Sequence, residues 1–196
     1  MTVIAWVIAG LLLVTTIGML VSRDWRLGLG FLGLQYLGVF WLTSLHWPVS
    51  MAAIKLVTGW MAIATLGITR LNIKDAEQES EQILPQGRFF RMFTAGIVTV
   101  IVVTAAPSVE EIIPGIGMPV ISGSLILMGL GMLHLGMTVQ PFRVILGLLT
   151  VLSGFEALYA ALESSILVAA MLSTVNLGLA LVGAYLLTAR TPEEST

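Results

Sequence analysis

The sequence predicts an all-α integral membrane protein: one bundle of about seven transmembrane helices, with residues 1–196 forming a single membrane domain. Three observations carry that prediction. Of the 196 residues, 57% are hydrophobic and 10% charged, against about 25% charged in soluble domains, so the chain lacks the polar surface to face water on every side. Seven stretches reach or approach the roughly 20 apolar residues that a membrane-crossing helix needs. The basic residues fall in alternate connections between those stretches, the pattern of a multi-pass protein.

The first stretch, 2–22, has no basic residues ahead of its apolar run and no clear small-residue cleavage site. It reads as a retained helix and not as a signal peptide. The second, 25–46, carries Gly28, Gly30, Gly33 and Gly38; small residues let helix backbones approach where lipid supplies no hydrophobic drive between helices. The third, 48–71, contains Lys55. A cytoplasmic loop over 72–91 carries the run KDAEQESEQ and a Pro-Gln-Gly turn, and reads as a solvated loop or short surface helix, with docking of a soluble partner as the alternative. The fourth stretch, 92–107, is the weakest, a short β-branched run from Phe93 to Ala106 closed by Pro107. Ser108 to Pro119, with Glu110 and Glu111, reads as a structured outer loop. The fifth, 118–138, has glycines at Gly123, Gly129, Gly131 and Gly136; the sixth, 141–162, contains Glu156; the seventh covers 164–189.

Basic residues support a crossing by the fourth stretch. Arg23, Arg26, Arg70, Lys74, Arg88, Arg91, Arg143 and Arg190 all lie on one side if every stretch crosses, and the alternate connections hold no Lys or Arg. With the basic side cytoplasmic, the N-terminus is expected outside and the C-terminus inside, in a prokaryotic inner membrane. Stretches one to three and five to seven also read as a pseudo-repeat of two three-helix units. Ile8–Leu20 aligns without gaps to Ile121–Leu133, with identities at Ile8, Gly10, Leu12, Gly18, Met19 and Leu20. One intervening span makes such triplets parallel.

Lys55 and Glu156 are the only charges deep inside apolar stretches. Each costs roughly 2.5–3.5 kcal/mol near the bilayer centre on insertion scales. Both lie about six residues from the outer helix end, roughly 9 Å deep at 1.5 Å per residue. Matching depth predicts a buried ion pair, serving as a structural clamp, a proton or ion relay, or a contact to a neighbouring subunit. Glu163, at the outer end of the sixth stretch, is expected to cap the seventh with Ser164 and Ser165, or to line a water path. Gln35, Tyr36, Thr58, Ser153, Thr174 and Asn176 are expected to hydrogen-bond between helices and to be available to extend a proton path.

Other chemistry is poorly supplied. There is no cysteine, hence no disulfide, no cysteine-ligated cluster and no thioether haem. His46 and His134 fall towards opposite ends of their helices, which excludes a bis-histidine haem and leaves a single-histidine pigment site open. Zinc-ligand spacing, nucleophile motifs, phosphate loops and a basic nucleic-acid surface are absent. The expectation is no catalytic site, no metal, no cofactor and no nucleic-acid partner.

Two longer patterns resemble a known family. TIGMLVSRDWRLGLGFLGLQYL, with Arg26-Leu27, Gly30-Phe31 and Gln35, followed by Lys55 in AAIKLV, resembles the start of the hydrogenase-4 component E type of membrane subunit. RVILGLLTVLSGFEALYAALESSILVAA, with Gly154-Phe155-Glu156, is similar to the second helix of the K-type small subunit of complex I and of the C-type subunit of Mrp antiporters; LGLALVGAYLLTAR resembles that subunit's last helix. The resemblance covers about 150 residues and implies a small, non-catalytic subunit of a proton-translocating, complex-I-like or energy-converting hydrogenase-like assembly. It further implies a place between larger antiporter-like membrane subunits and a redox module, with Glu156 contributing a buried acid to a proton path. The component E acid corresponds to Leu152 here, with Glu156 one turn later. The K-type subunit's second acid is replaced by the neighbourhood of Thr174 and Asn176. The rival reading is a purely structural scaffold subunit of a respiratory or photosynthetic complex, and a third is a stand-alone transporter.

Overall fold

A computed structural model describes residues 2–73 and 87–189. They form seven α-helices and, among the described residues, no strand: α1 (Thr2–Val21), α2 (Trp25–Ser44), α3 (Val49–Asn72), α4 (Arg88–Ile112), α5 (Met118–Gly136), α6 (Pro141–Leu162) and α7 (Ile166–Ala189). Each is long and apolar enough to cross a membrane. The shortest, α5, has 19 residues, about 28 Å at 1.5 Å per residue, against a hydrocarbon layer of about 30 Å. Most of the expected loop 72–91 lies outside the described residues.

The helices pack as two layers of three. In one layer α2 lies between α1 and α3, in the other α6 lies between α5 and α7, and the layers meet as α1 on α5, α2 on α6 and α3 on α7. The start of α4 lies at the end of α1, where the Arg91 guanidinium donates to the Leu20 carbonyl at 3.3 Å; α4 therefore returns the chain so that α5 starts beside the start of α1. Two apolar clusters fill the interface. One joins Leu32, Leu66, Leu146 and Leu149 across α2, α3 and α6; the other joins Leu12, Leu42, Ile121 and Ala157 across α1, α2, α5 and α6. Close approach of α5 and α6 depends on Gly154, where a Cβ would stand 2.7 Å from the Ser124 carbonyl oxygen and 2.8 Å from the Leu127 Cβ. The outer faces carry exposed Trp6, Ile54, Trp60, Met132, Leu167 and Tyr185, an apolar surface suited to lipid.

Helix α4 departs from the expected 92–107. It begins at Arg88, behind Gly87, and continues through Pro107 to Ile112, so the expected outer loop Ser108–Pro119 shrinks to residues 113–117 with Glu110 and Glu111 inside the helix. Proline removes one N–H from the ladder but does not forbid continuation where the surroundings hold the helix. What ends it is a turn at Gly115 and Gly117, both with positive φ, +96° and +91°, a conformation that glycine adopts without a Cβ clash. Helix α4 rests on α5 through a narrow stripe, Arg91, Ala95 and Ala106 being its buried residues, with Val98 and Val102 against Gly129.

The other differences are small. The second and fifth helices end at Ser44 and Gly136, two residues before the expected 46 and 138, and α7 starts at Ile166, two residues after 164.

Candidate functional site

Pro48 caps α3, whose first residue, Val49, lies six residues before Lys55, and α6 runs six residues beyond Glu156 to Leu162. Because α3 and α6 border the same interior from opposite layers, equal depth becomes contact. The Lys55 Nζ donates to Glu156 Oε1 at 2.6 Å, each side chain 2% exposed. Asn176 of α7 donates its amide to the same carboxylate, at 3.3 Å to Oε1 and 3.5 Å to Oε2, and accepts at Oδ1 from the Tyr36 hydroxyl of α2 at 3.1 Å. The tyrosine thereby fixes which way the amide points. Tyr36 can lie across α3 only because residue 59 is glycine: a Cβ there would overlap the tyrosine ring. Each of the four helices α2, α3, α6 and α7 contributes one member, and all four side chains are buried.

Beside it lies a second polar group. Gln35 is buried; its amide donates to Thr16 Oγ1 at 2.8 Å, and its carbonyl oxygen accepts from Thr150 Oγ1 at 3.2 Å. Successive helical residues point about 100° apart, so Gln35 serves α1 and α6 while Tyr36 serves α3 and α7. Thr150, Ser153 and Glu156 recur at three-residue steps on one face of α6, all buried. That spacing is the signal that would have singled out Thr150, which sequence reasoning missed along with Thr16. A lone threonine in an apolar helix is usually satisfied by the carbonyl three or four residues back, and both do make that bond, to Leu146 and Leu12.

Ion-pair chemistry here is simple. At 2.6 Å a proton can pass directly from the ammonium to the carboxylate, converting two charges into a neutral amine and acid, and return. Desolvation favours the neutral pair; the mutual attraction and the Asn176 amide favour the charged one. No cluster of His, Cys, Asp or Glu able to hold a metal ion exists among the described residues.

The remaining expected residues lie elsewhere. Glu163 is exposed at the end of α6, where its backbone carbonyl accepts from Trp47 Nε1 at 2.9 Å and ties the α2–α3 turn to the α6–α7 turn. Helix α7 begins with a backbone bond from Ala169 to Ser165. Thr174 is exposed and donates to Ala170 within its own helix. Thr58 donates back to the carbonyls of Ile54 and Lys55. His46 sits in the α2–α3 turn; His134 is buried near the opposite, arginine-rich end.

No protein-family model matches this chain, and neither a curated protein nor a solved structure matches it significantly.

Proposed function

We propose that this chain is a non-catalytic integral membrane subunit of a proton-translocating assembly of the complex-I-like or energy-converting hydrogenase-like kind. Glu156 is its proton-handling acid and Lys55 the group that tunes it. The observation that carries this reading is the buried Lys55–Glu156 pair at 2.6 Å, held by Asn176 and Tyr36 at the junction of four helices. Intramembrane ionisable residues are expensive and concentrate on ion and proton pathways. In this reading the arginine-rich end faces the cytoplasm of a prokaryotic inner membrane, the N-terminus lies outside and the C-terminus inside. The neighbours are larger antiporter-like subunits and a redox module that supplies the electrons this chain has no ligands to carry. Proton translocation by inverted membrane vesicles carrying Glu156→Gln tests it. Translocation should fall while the subunit still co-purifies with its partners in mild detergent; undiminished pumping by a fully assembled variant refutes the assignment.

A scaffold role is the second reading, and one observation favours it: the polar cluster draws exactly one side chain from each of α2, α3, α6 and α7, as a clamp would. Under it, Glu156→Gln lowers the yield and melting temperature of the assembly, and exchanging the charges, Lys55→Glu with Glu156→Lys, restores them in part. A relay tuned to one geometry gains no pumping from that exchange.

A further inference from the structure

The surroundings of the Lys55–Glu156 pair differ between its two sides. Towards the arginine-rich end they stay polar: Ser153, three residues from Glu156 on α6, donates to the Thr150 carbonyl, the Thr150 hydroxyl donates to Gln35, and the Gln35 amide donates to Thr16. Towards the opposite end the same helix faces turn apolar. Met51 lies four residues before Lys55 on α3, Ala160 four after Glu156 on α6, and Ala169 seven before Asn176 on α7, spacings that keep each on the side of its helix that faces the pair. With Trp47 these three form a separate apolar cluster, and none of the four is more than 8% exposed. Ser173, the buried residue between Ala169 and Asn176, spends its hydroxyl on the Ala169 carbonyl at 2.8 Å.

Trp47 differs from its three neighbours in how it is held. They sit on helices; it sits in the α2–α3 turn. Two of the three are alanines, which leaves a slot for the indole. Its Nε1–H donates to the Glu163 backbone carbonyl at 2.9 Å, one of the acceptors that a helix end leaves without an intrahelical partner. Its own backbone N–H is bound to the Thr43 carbonyl at 2.8 Å, so the ring can leave the slot by side-chain rotation, breaking one hydrogen bond, while the turn stays in place.

We propose that Trp47 is the movable plug of a gate at the end of the bundle opposite the arginines. Seated against Met51, Ala160 and Ala169 it bars water from the Lys55–Glu156 pair; swung out, it opens the roughly 9 Å, six residues at 1.5 Å each, that separate the pair from that end. An apolar constriction that excludes water is a recognised way of closing an ion path, and an indole fills far more than the roughly 30 Å³ of a water molecule. The inference rests on the reading of Glu156 as a proton-handling acid and adds the place where its path to that side is shut. A path that exchanges protons with both faces of a membrane must not be open to both at once, and a polar run on one side with a dry plug on the other meets that requirement.

The chain has no cysteine, so Ser173→Cys places a single thiol one turn inside the plug. The full chain in mild detergent is treated with a small charged methanethiosulfonate, and labelling is followed by intact mass. The thiol should react slowly while Trp47 is present. Trp47→Ala should speed labelling by more than about tenfold, and Trp47→Phe, which keeps a ring but loses the N–H bond, by about fivefold. Ser122→Cys, buried in α5 outside the plug, should change by less than about twofold in either background. If Trp47→Ala does not fold, Trp47→Phe alone decides. A Ser173→Cys thiol that already reacts fast beside Trp47, that stays slow without it, or whose acceleration is matched at Ser122→Cys overturns the gate. Membrane vesicles carrying the assembly separate the gate from the reading it rests on: Trp47→Ala should speed the passive decay of an imposed pH gradient, and adding Glu156→Gln should stop that leak. Faster labelling with no leak upholds the plug and counts against Glu156 as the proton-handling acid.

Discussion

The middle of the bundle and its arginine-rich end handle charge in opposite ways. At mid-depth every ionisable group has a counterpart: Lys55 has Glu156, whose carboxylate also receives Asn176, which in turn receives Tyr36. At the end of the bundle Arg23, Arg26, Arg70 and Arg143 border one cavity together with Asp24 and His134. The difference follows depth. In hydrocarbon an unpaired charge must carry its whole desolvation penalty, whereas within reach of water and headgroups an excess of one sign is tolerated and attracts ions of the other.

The sharpest way to break that contrast is to unbalance the middle. Glu156→Leu leaves the Lys55 ammonium buried without its carboxylate and should cost about 3–5 kcal/mol, read as thermal denaturation in detergent. Adding Lys55→Met should recover most of the loss, since replacing both members of a buried pair by apolar groups is often close to neutral. A double variant as unstable as the single one would mean that the pair is not what the helices are organised around.

Backbone approach comes next. Gly154→Ala drives a methyl group against the Ser124 carbonyl and should cost about 1–3 kcal/mol by overpacking. Gly28→Ala, in the cavity wall, meets only the flexible end of Leu146 at 3.2 Å and should cost less. Comparable melting temperatures for the two would erase the claimed difference in tightness between the regions. A smaller effect is expected between Tyr36 and Asn176, where a double-mutant cycle with Tyr36→Phe and Asn176→Leu should return a coupling near 0.6 kcal/mol, about the average for hydrogen bonds between membrane helices. Smallest of all, His134→Leu should leave the melting temperature unchanged or slightly higher, because it removes a buried imidazole with no partner. A clear loss of stability from that substitution would show the imidazole to be bonded in the fold itself.

Much of the architecture was legible because a membrane helix is specified by a one-dimensional property, the length of an apolar run. Seven such runs yielded seven helices, with most boundaries within two residues of the structure. The fourth differs from its apolar run at both ends. The charge of Arg88 and Arg91 reads as loop, although Arg91 turns inward to the Leu20 carbonyl, and Pro107 reads as a stop, although a proline stops a helix only where nothing else supports it. Equal depth of Lys55 and Glu156 was also legible, being arithmetic along two helices. Glu163 and Thr174 show where that arithmetic ends: both are polar and near the right positions, yet both face outward.

The amino-acid sequence by itself determined which segments enter the apolar layer, which end of the bundle is basic, and at what depth the two lone charges lie. These follow from hydrophobic length and rise per residue. Only the tertiary structure decided that α3, α6, α7 and α2 turn the faces bearing Lys55, Glu156, Asn176 and Tyr36 towards one another, and that Arg26, Arg70 and Arg143, from three different helices, border one cavity. Helix neighbours and helix rotation are set by how glycines, ring faces and branched side chains interlock across layers, and such contacts join residues more than a hundred positions apart, which no local pattern encodes.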